Sequence, residues 1–210
     1  MRNPTKNSDL HGSAPDHSAI ALLIIDMLSE VSEIDGGAFV AKARHAAKRI
    51  AKLKHRAAKS AIPCIYVNDN VGRWQSAGHR VMAQNSAATS SSFAIGQLLM
   101  PAQSDYLVLK PKHSAFFATP LDVLLTHLGT SALIVTGMVG KQCILFTAID
   151  AYVREFQLYI PMDCIVTADR SESTMLRKLF MATLDADIRD SGVLRLSALC
   201  RKHLARPVRR

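Results

Sequence analysis

Three apolar runs each end on a residue that can do chemistry, and this constrains the fold more than anything else in the chain. Leu22-Leu23-Ile24-Ile25 runs into Asp26, Tyr106-Leu107-Val108-Leu109 into Lys110, and Ala132-Leu133-Ile134-Val135 into a glycine-bearing turn that reaches Cys143. Near-continuous apolar strands are buried on both faces, which is the habit of parallel sheets. Open parallel sheets bind their ligands outside the carboxyl ends of the strands. An acid, a base and a thiol at three such ends therefore point to one active site.

The stretches between the runs read as helices. Phe39, Ala43, Ala46, Ala47, Ile50, Leu53 and Ala57 recur at spacings of three and four, predicting an amphipathic helix over 39–58 that Pro63 stops. Further helices are expected over 93–100, 121–128, 142–155 and 172–186, and strands over 64–67, 106–109, 132–136 and 157–160. Residues 193–196 fit either a sixth strand or a terminal helix. Strands alternating with helices give parallel βαβ units with right-handed crossovers.

At 210 residues the chain fits one domain, expected over 18–200, between a polar arm at 1–17 and a basic tail at 201–210. No apolar run approaches the roughly 18 residues of a membrane span, and no secretory signal is read at the start. Cys64, Cys143, Cys164 and Cys200 form no CxxC pair, so neither a zinc site nor a disulfide framework is expected, and a reduced cytoplasmic setting is the simplest reading. The formal net charge of +9 is localised: no Asp or Glu occurs from Gly36 to Asn68, where Lys42, Arg44, Lys48, Arg49, Lys52, Lys54, Arg56 and Lys59 all lie. No nucleic-acid motif accompanies this charge, so it reads as a solvated helix face rather than a polyanion site.

Cys143 follows a strand and a Gly-x-x-Gly turn at an expected helix start, where the helix dipole favours thiolate. Cys64 reads as core. An Asp–Lys–Cys set is chemically coherent: Asp26 takes the thiol proton, Lys110 stabilises nearby negative charge, and backbone N–H groups hold the oxyanion formed on attack at a carbonyl.

On these residues the chain resembles the isochorismatase-like cysteine hydrolases, a group that includes nicotinamidases and N-carbamoylsarcosine amidohydrolase. The resemblance covers roughly Ala19 to Ser191 and rests on Leu23-Ile24-Ile25-Asp26-Met27, on the stretch from Lys110 through Ser114-Ala115-Phe116 to Leu121, on Val135-Thr136-Gly137 running to Cys143, and on Thr147-Ala148-Ile149-Asp150-Ala151 followed by Asp163. It implies an α/β fold of three layers, with a six-stranded, mostly parallel sheet and helices on both faces, in a homodimer or homotetramer. It implies Asp26 as general base, Lys110 as its charged partner and Cys143 as nucleophile. It also implies a cis peptide between Met138 and Val139 that turns backbone N–H groups toward the substrate oxygen. The implied activity is hydrolysis of a non-peptide C–N bond, amide or carbamoyl, in a small molecule through an acyl-enzyme. Vinyl-ether hydrolysis led by Asp26 and a non-catalytic binding protein on the same fold are the alternatives.

Two departures stand out. The Thr-like residue usual three positions before the cysteine is Gly140. Metal-binding nicotinamidases carry an Asp-x-His pattern after the second strand, and here Val71 occupies the histidine position, leaving His79 alone with Asp69. No metal and no cofactor are therefore expected. Asn68, Asn70, Arg73 and Trp74 are the candidates to line the substrate pocket.

Overall fold

The structure is a computed structural model that describes residues 17–28, 37–70 and 92–204. Most of the polar arm, the end of the basic tail, and Val71, Arg73, Trp74 and His79 lie outside the described residues. Five parallel strands form one sheet: β1 (Ile20–Ile25), β2 (Cys64–Asp69), β3 (Tyr106–Lys110), β4 (Ala132–Gly137) and β5 (Gln157–Tyr159), in the order β3-β2-β1-β4-β5. The helices are α1 (Gly37–Lys59), α2 (Phe93–Leu98), α3 (Leu121–Leu128), α4 (Leu145–Val153), α5 (Arg170–Ala182) and α6 (Leu196–Leu204).

Alternation along β1 divides the core between two layers. Ile20, Leu22 and Ile24 pack into a cluster with Ala43, Ile50 and Leu53 of α1 and Leu196 of α6. Ala21, Leu23 and Ile25 pack into the opposite cluster with Leu121 and Leu125 of α3, Ala148 and Ala151 of α4, and Leu176 and Phe180 of α5. Every residue of β1 is buried, which is why the run had to be apolar throughout.

The sixth strand does not form among the described residues. Ser191–Val193 is a 3₁₀ turn, and Leu196 begins α6. The edge beyond β5 carries only one parallel bridge, Tyr159 to Asp187. Ile160 N–H donates to Asp187 O at 2.8 Å and Asp187 N–H to Leu158 O at 2.9 Å. Arg201 to Leu204, expected as tail, form the last turn of α6, with His203 buried and its Nε2 2.9 Å from the Tyr159 hydroxyl.

The basic face of α1 also does more than meet water. Lys54 Nζ lies 2.5 Å from Asp105 and donates to the Tyr66 hydroxyl at 2.9 Å. Arg56 reaches the carbonyls of Ser191 and Leu194, and Lys42 reaches that of Ala168. These cations tie α1 to neighbouring connections of the same layer.

Candidate active site

Strand order reverses at β1, which pairs with β2 on one side and β4 on the other. Asp26 follows β1 and the turn to Cys143 follows β4, so both emerge at the crevice where open α/β sheets bind ligands. Lys110 ends β3 in register with Asp69.

The three side chains converge. Lys110, with no exposed surface, donates to Asp26 Oδ2 at 2.9 Å and to Cys143 Sγ at 3.4 Å. Asp26 and Cys143 thus share one cation, and Asp26 Oδ1 accepts the Asp69 N–H at 3.0 Å. The Asp69 carboxylate adds a second, longer contact to Lys110 at 3.7 Å.

Electrostatics follow from burial. Desolvation raises the Asp26 carboxyl above its ordinary range, against the lowering pull of Lys110. Burial alone would lower the Lys110 ammonium, but the charge and hydrogen bond of Asp26 outweigh it and hold the lysine charged. Cys143 is pushed up to about 11, first by burial and then by Asp26, with Lys110 opposing. The expected helix-dipole thiolate is thus not the resting form. Cys143 lies in a π-type turn, Gly140–Ile144, ahead of α4 rather than on the first turn of a regular α-helix. The thiol holds its proton at rest, and the Asp26 carboxylate shares its Lys110 partner.

The turn before Cys143 is shaped by its backbone. The peptide between Met138 and Val139 is cis. Met138 N–H donates to Ile25 O at 3.0 Å and Gly140 N–H to Val166 O at 2.9 Å. Gln142 and Ile144 N–H both donate to Val139 O, at 3.1 and 3.2 Å. Met138 thus spends its own N–H on β1, and the N–H of the cis peptide belongs to Val139.

The glycine at 140 has a structural reason. A Cβ there would lie 2.8 Å from Leu176 Cδ1 and 2.9 Å from both Glu172 Oε1 and Thr167 Cγ2. Glu172 of α5 fills that space and works from it. Its Oε1 accepts Lys141 N–H at 3.0 Å, its Oε2 accepts Ala168 N–H at 3.1 Å, and its own N–H donates to Asp169 at 2.8 Å. Asp169 followed three residues later by Glu172 is a capping pattern legible in the sequence.

The loop after β3 is pinned to α4. Ser114 Oγ bonds the Asp150 carboxylate and accepts Phe116 N–H at 3.1 Å, while Ala115 N–H donates to the buried Thr147 Oγ1 at 3.0 Å. This brings His113 to Cys143, with Nδ1 3.9 Å from Sγ. His113 carried no strand-end or spacing signal and was not legible as a site residue.

Among the pocket candidates, Asn68 is fully buried and lies in β2 with the parity of Tyr66, opposite to Asp69. Asn70 is buried, and its N–H donates to the backbone O of Lys110 at 3.0 Å. No three ligating side chains converge among the described residues. Asp69 turns its carboxylate toward Lys110, and Asn70 offers only an amide.

A doubly wound parallel sheet with these groups at its switch point defines a small α/β enzyme of hydrolytic type. The isochorismatase domain family matches residues 20–187, and the chain belongs to that family. It is 36% identical over 168 residues to the uncharacterized isochorismatase family protein YaaI of Bacillus subtilis (strain 168), covering 80% of this chain and 92% of the relative. A ureidoacrylate amidohydrolase of Methylorubrum extorquens is 36% identical over 64 residues, 30% of this chain and 26% of that protein. Among solved structures, N-carbamoylsarcosine amidase from Thermoplasma acidophilum superposes with a TM-score of 0.65 at 22% identity, over 84% of this chain and 98% of that one. The nicotinamidase from Staphylococcus aureus gives 0.62 at 18% identity, over 82% and 98%. The last two show a shared fold.

Proposed function

We propose that the chain hydrolyses a non-peptide C–N bond, amide or carbamoyl, in a small molecule through a covalent acyl-enzyme on Cys143. The observation that carries this reading is that buried Lys110 contacts both the Asp26 carboxylate and the Cys143 sulfur, bringing the three groups together. Asp26 takes the thiol proton, and Lys110 holds the resulting negative charge in a site shielded from water, where Coulomb interactions are strong. The thiolate attacks the carbonyl carbon. The oxyanion lies against the N–H groups of Val139 and Cys143. The C–N bond breaks as Asp26 returns its proton to the departing nitrogen, and water then releases the acyl group.

The partial match to a ureidoacrylate amidohydrolase and the fold shared with two amidases support a C–N rather than a C–O bond. No metal or cofactor takes part in this scheme. Asn70 is the polar group best placed to face the substrate, with Asn68, Arg73 and Trp74 as further pocket residues. The protein acts in the cytoplasm as a homodimer or homotetramer. No helix among the described residues is long and apolar enough to cross a membrane.

The test is a panel of amides, ureas and carbamoyl compounds assayed for ammonia release, with Cys143→Ala as control. Release by wild type and none by the variant is expected. Equal release by both would refute a nucleophilic Cys143.

A further inference from the structure

His113 stands on the outer side of the thiol. Lys110 and Asp26 reach Cys143 from the interior, with Lys110 wholly buried and Asp26 7% exposed. His113 is exposed, yet its Nδ1 lies 3.9 Å from Sγ. The sulfur therefore has one proton-accepting side chain on its buried side and another on its solvent side.

The ring is held there. Lys110 is locked in β3 on one flank, and Ser114 and Ala115 are bonded to Asp150 and Thr147 of α4 on the other. The imidazole rests on Phe146, with ring centroids 5.5 Å apart at 41°. Phe146 is the second residue of α4, three positions past the thiol. An exposed histidine with a fixed backbone and an aromatic backstop keeps its reach toward the sulfur.

The two half-reactions make different demands. In the first, the proton begins on the thiol, where Asp26 sits. In the second, a water must approach the thioester, and it arrives from solvent. Resting on the acyl-enzyme reading above, we propose that His113 is the general base of the second half-reaction. A water molecule gives one proton to the free imidazole nitrogen as its oxygen bonds the thioester carbonyl carbon. The C–S bond breaks and leaves its electron pair on sulfur. The imidazolium then gives the proton on Nδ1, its other ring nitrogen, to the thiolate across the contact with Sγ. The products are a carboxylic acid, a neutral thiol and a neutral imidazole, so protons and electrons balance without an outside reagent. Each proton transfer uses a group already beside the sulfur, and general bases of this kind contribute about 10²–10⁴-fold.

The probe is p-nitrophenyl acetate, whose leaving group needs no proton. Its burst reports acylation of Cys143, and its steady slope reports thioester hydrolysis, both measured against a Cys143→Ala blank. For His113→Gln the burst is expected to persist while the slope falls about a hundredfold. Intact-mass spectrometry should then find one acetyl group retained on Cys143, and imidazole added to His113→Ala should restore the slope. A slope equal to that of wild type overturns the proposal. So does a parallel fall of burst and slope, which would put His113 in acylation or probe binding. If wild type itself shows no burst and no acetyl on Cys143, the acyl-enzyme reading fails, and the role of His113 falls with it.

Discussion

Lys110 donates to Asp26 at 2.9 Å and to Cys143 at 3.4 Å, so one wholly buried cation touches both the carboxylate and the thiol. Lys112, two residues on, is exposed. Lys110→Met should lower turnover by about 10²–10³, the scale of losing one preorganised charge stabiliser. Lys112→Ala should keep most activity. Steady-state kinetics on both variants, with circular dichroism to confirm the fold, checks the pair; the reverse order would reassign the lysine.

Asp26 and Lys110 push the Cys143 thiol in opposite directions, Asp26 up and Lys110 down. Asp26→Asn should therefore speed alkylation of Cys143 while abolishing turnover, because thiolate forms more readily but no base remains to carry the proton. Lys110→Met should slow alkylation. Below its value of about 11, the thiolate fraction of wild type rises about tenfold per pH unit. Iodoacetamide labelling followed on tryptic peptides measures all three. Slower labelling of Asp26→Asn would overturn the assignment.

The other cysteines supply an internal comparison. Cys64 and Cys164 are buried, and desolvation pushes both thiols far above their ordinary value. Under native conditions Cys143 should be labelled ahead of both. Equal rates would mean that the Asp26–Lys110 environment does not expose or activate the thiol.

The pH dependence of turnover follows from the same groups. In the proposed role Asp26 must be unprotonated, and its carboxyl titrates above the ordinary 3.8, so activity should be lost as pH falls through that raised value. Lys110 is held above 10.5 and stays charged through neutrality. A profile of kcat/KM with an acid limb above pH 3.8 and a plateau through neutrality is expected. An acid limb at or below 3.8 would contradict the burial of Asp26.

Two substitutions test the scaffold. Thr147→Val leaves the buried N–H of Ala115 without its acceptor and should cost about 1–3 kcal/mol in urea unfolding. Gly137 ends β4 at φ +122°, and a Cβ there would lie 2.0 Å from Ile25 O, a backbone atom that cannot yield. Gly137→Ala should lose at least about 3 kcal/mol or fail to fold. A Gly137→Ala protein as stable as wild type would refute the close approach of β4 to β1.

What the sequence determined by itself was local. Apolar runs between helical periods specified parallel strands, because a strand buried on both faces has no polar alternation to show. The residue that ends each run lies at the sheet's carboxyl edge by continuity alone, which is why Asp26, Lys110 and the Cys143 turn were legible. The segment around 193–196 was ambiguous because a short apolar run fits a strand or a helix equally well. It became a 3₁₀ turn leading into α6, whose Leu196 packs against the α1 layer and whose His203 is buried beside Tyr159. Only the tertiary structure set what depends on distance across the chain: Glu172 filling the space beside Gly140, His113 meeting Cys143 through a loop pinned on α4, and a thiol held protonated. The physical reason is that desolvation and contact are properties of the assembled crevice. They arise where segments far apart in sequence close off water, and no period or spacing within one segment encodes them.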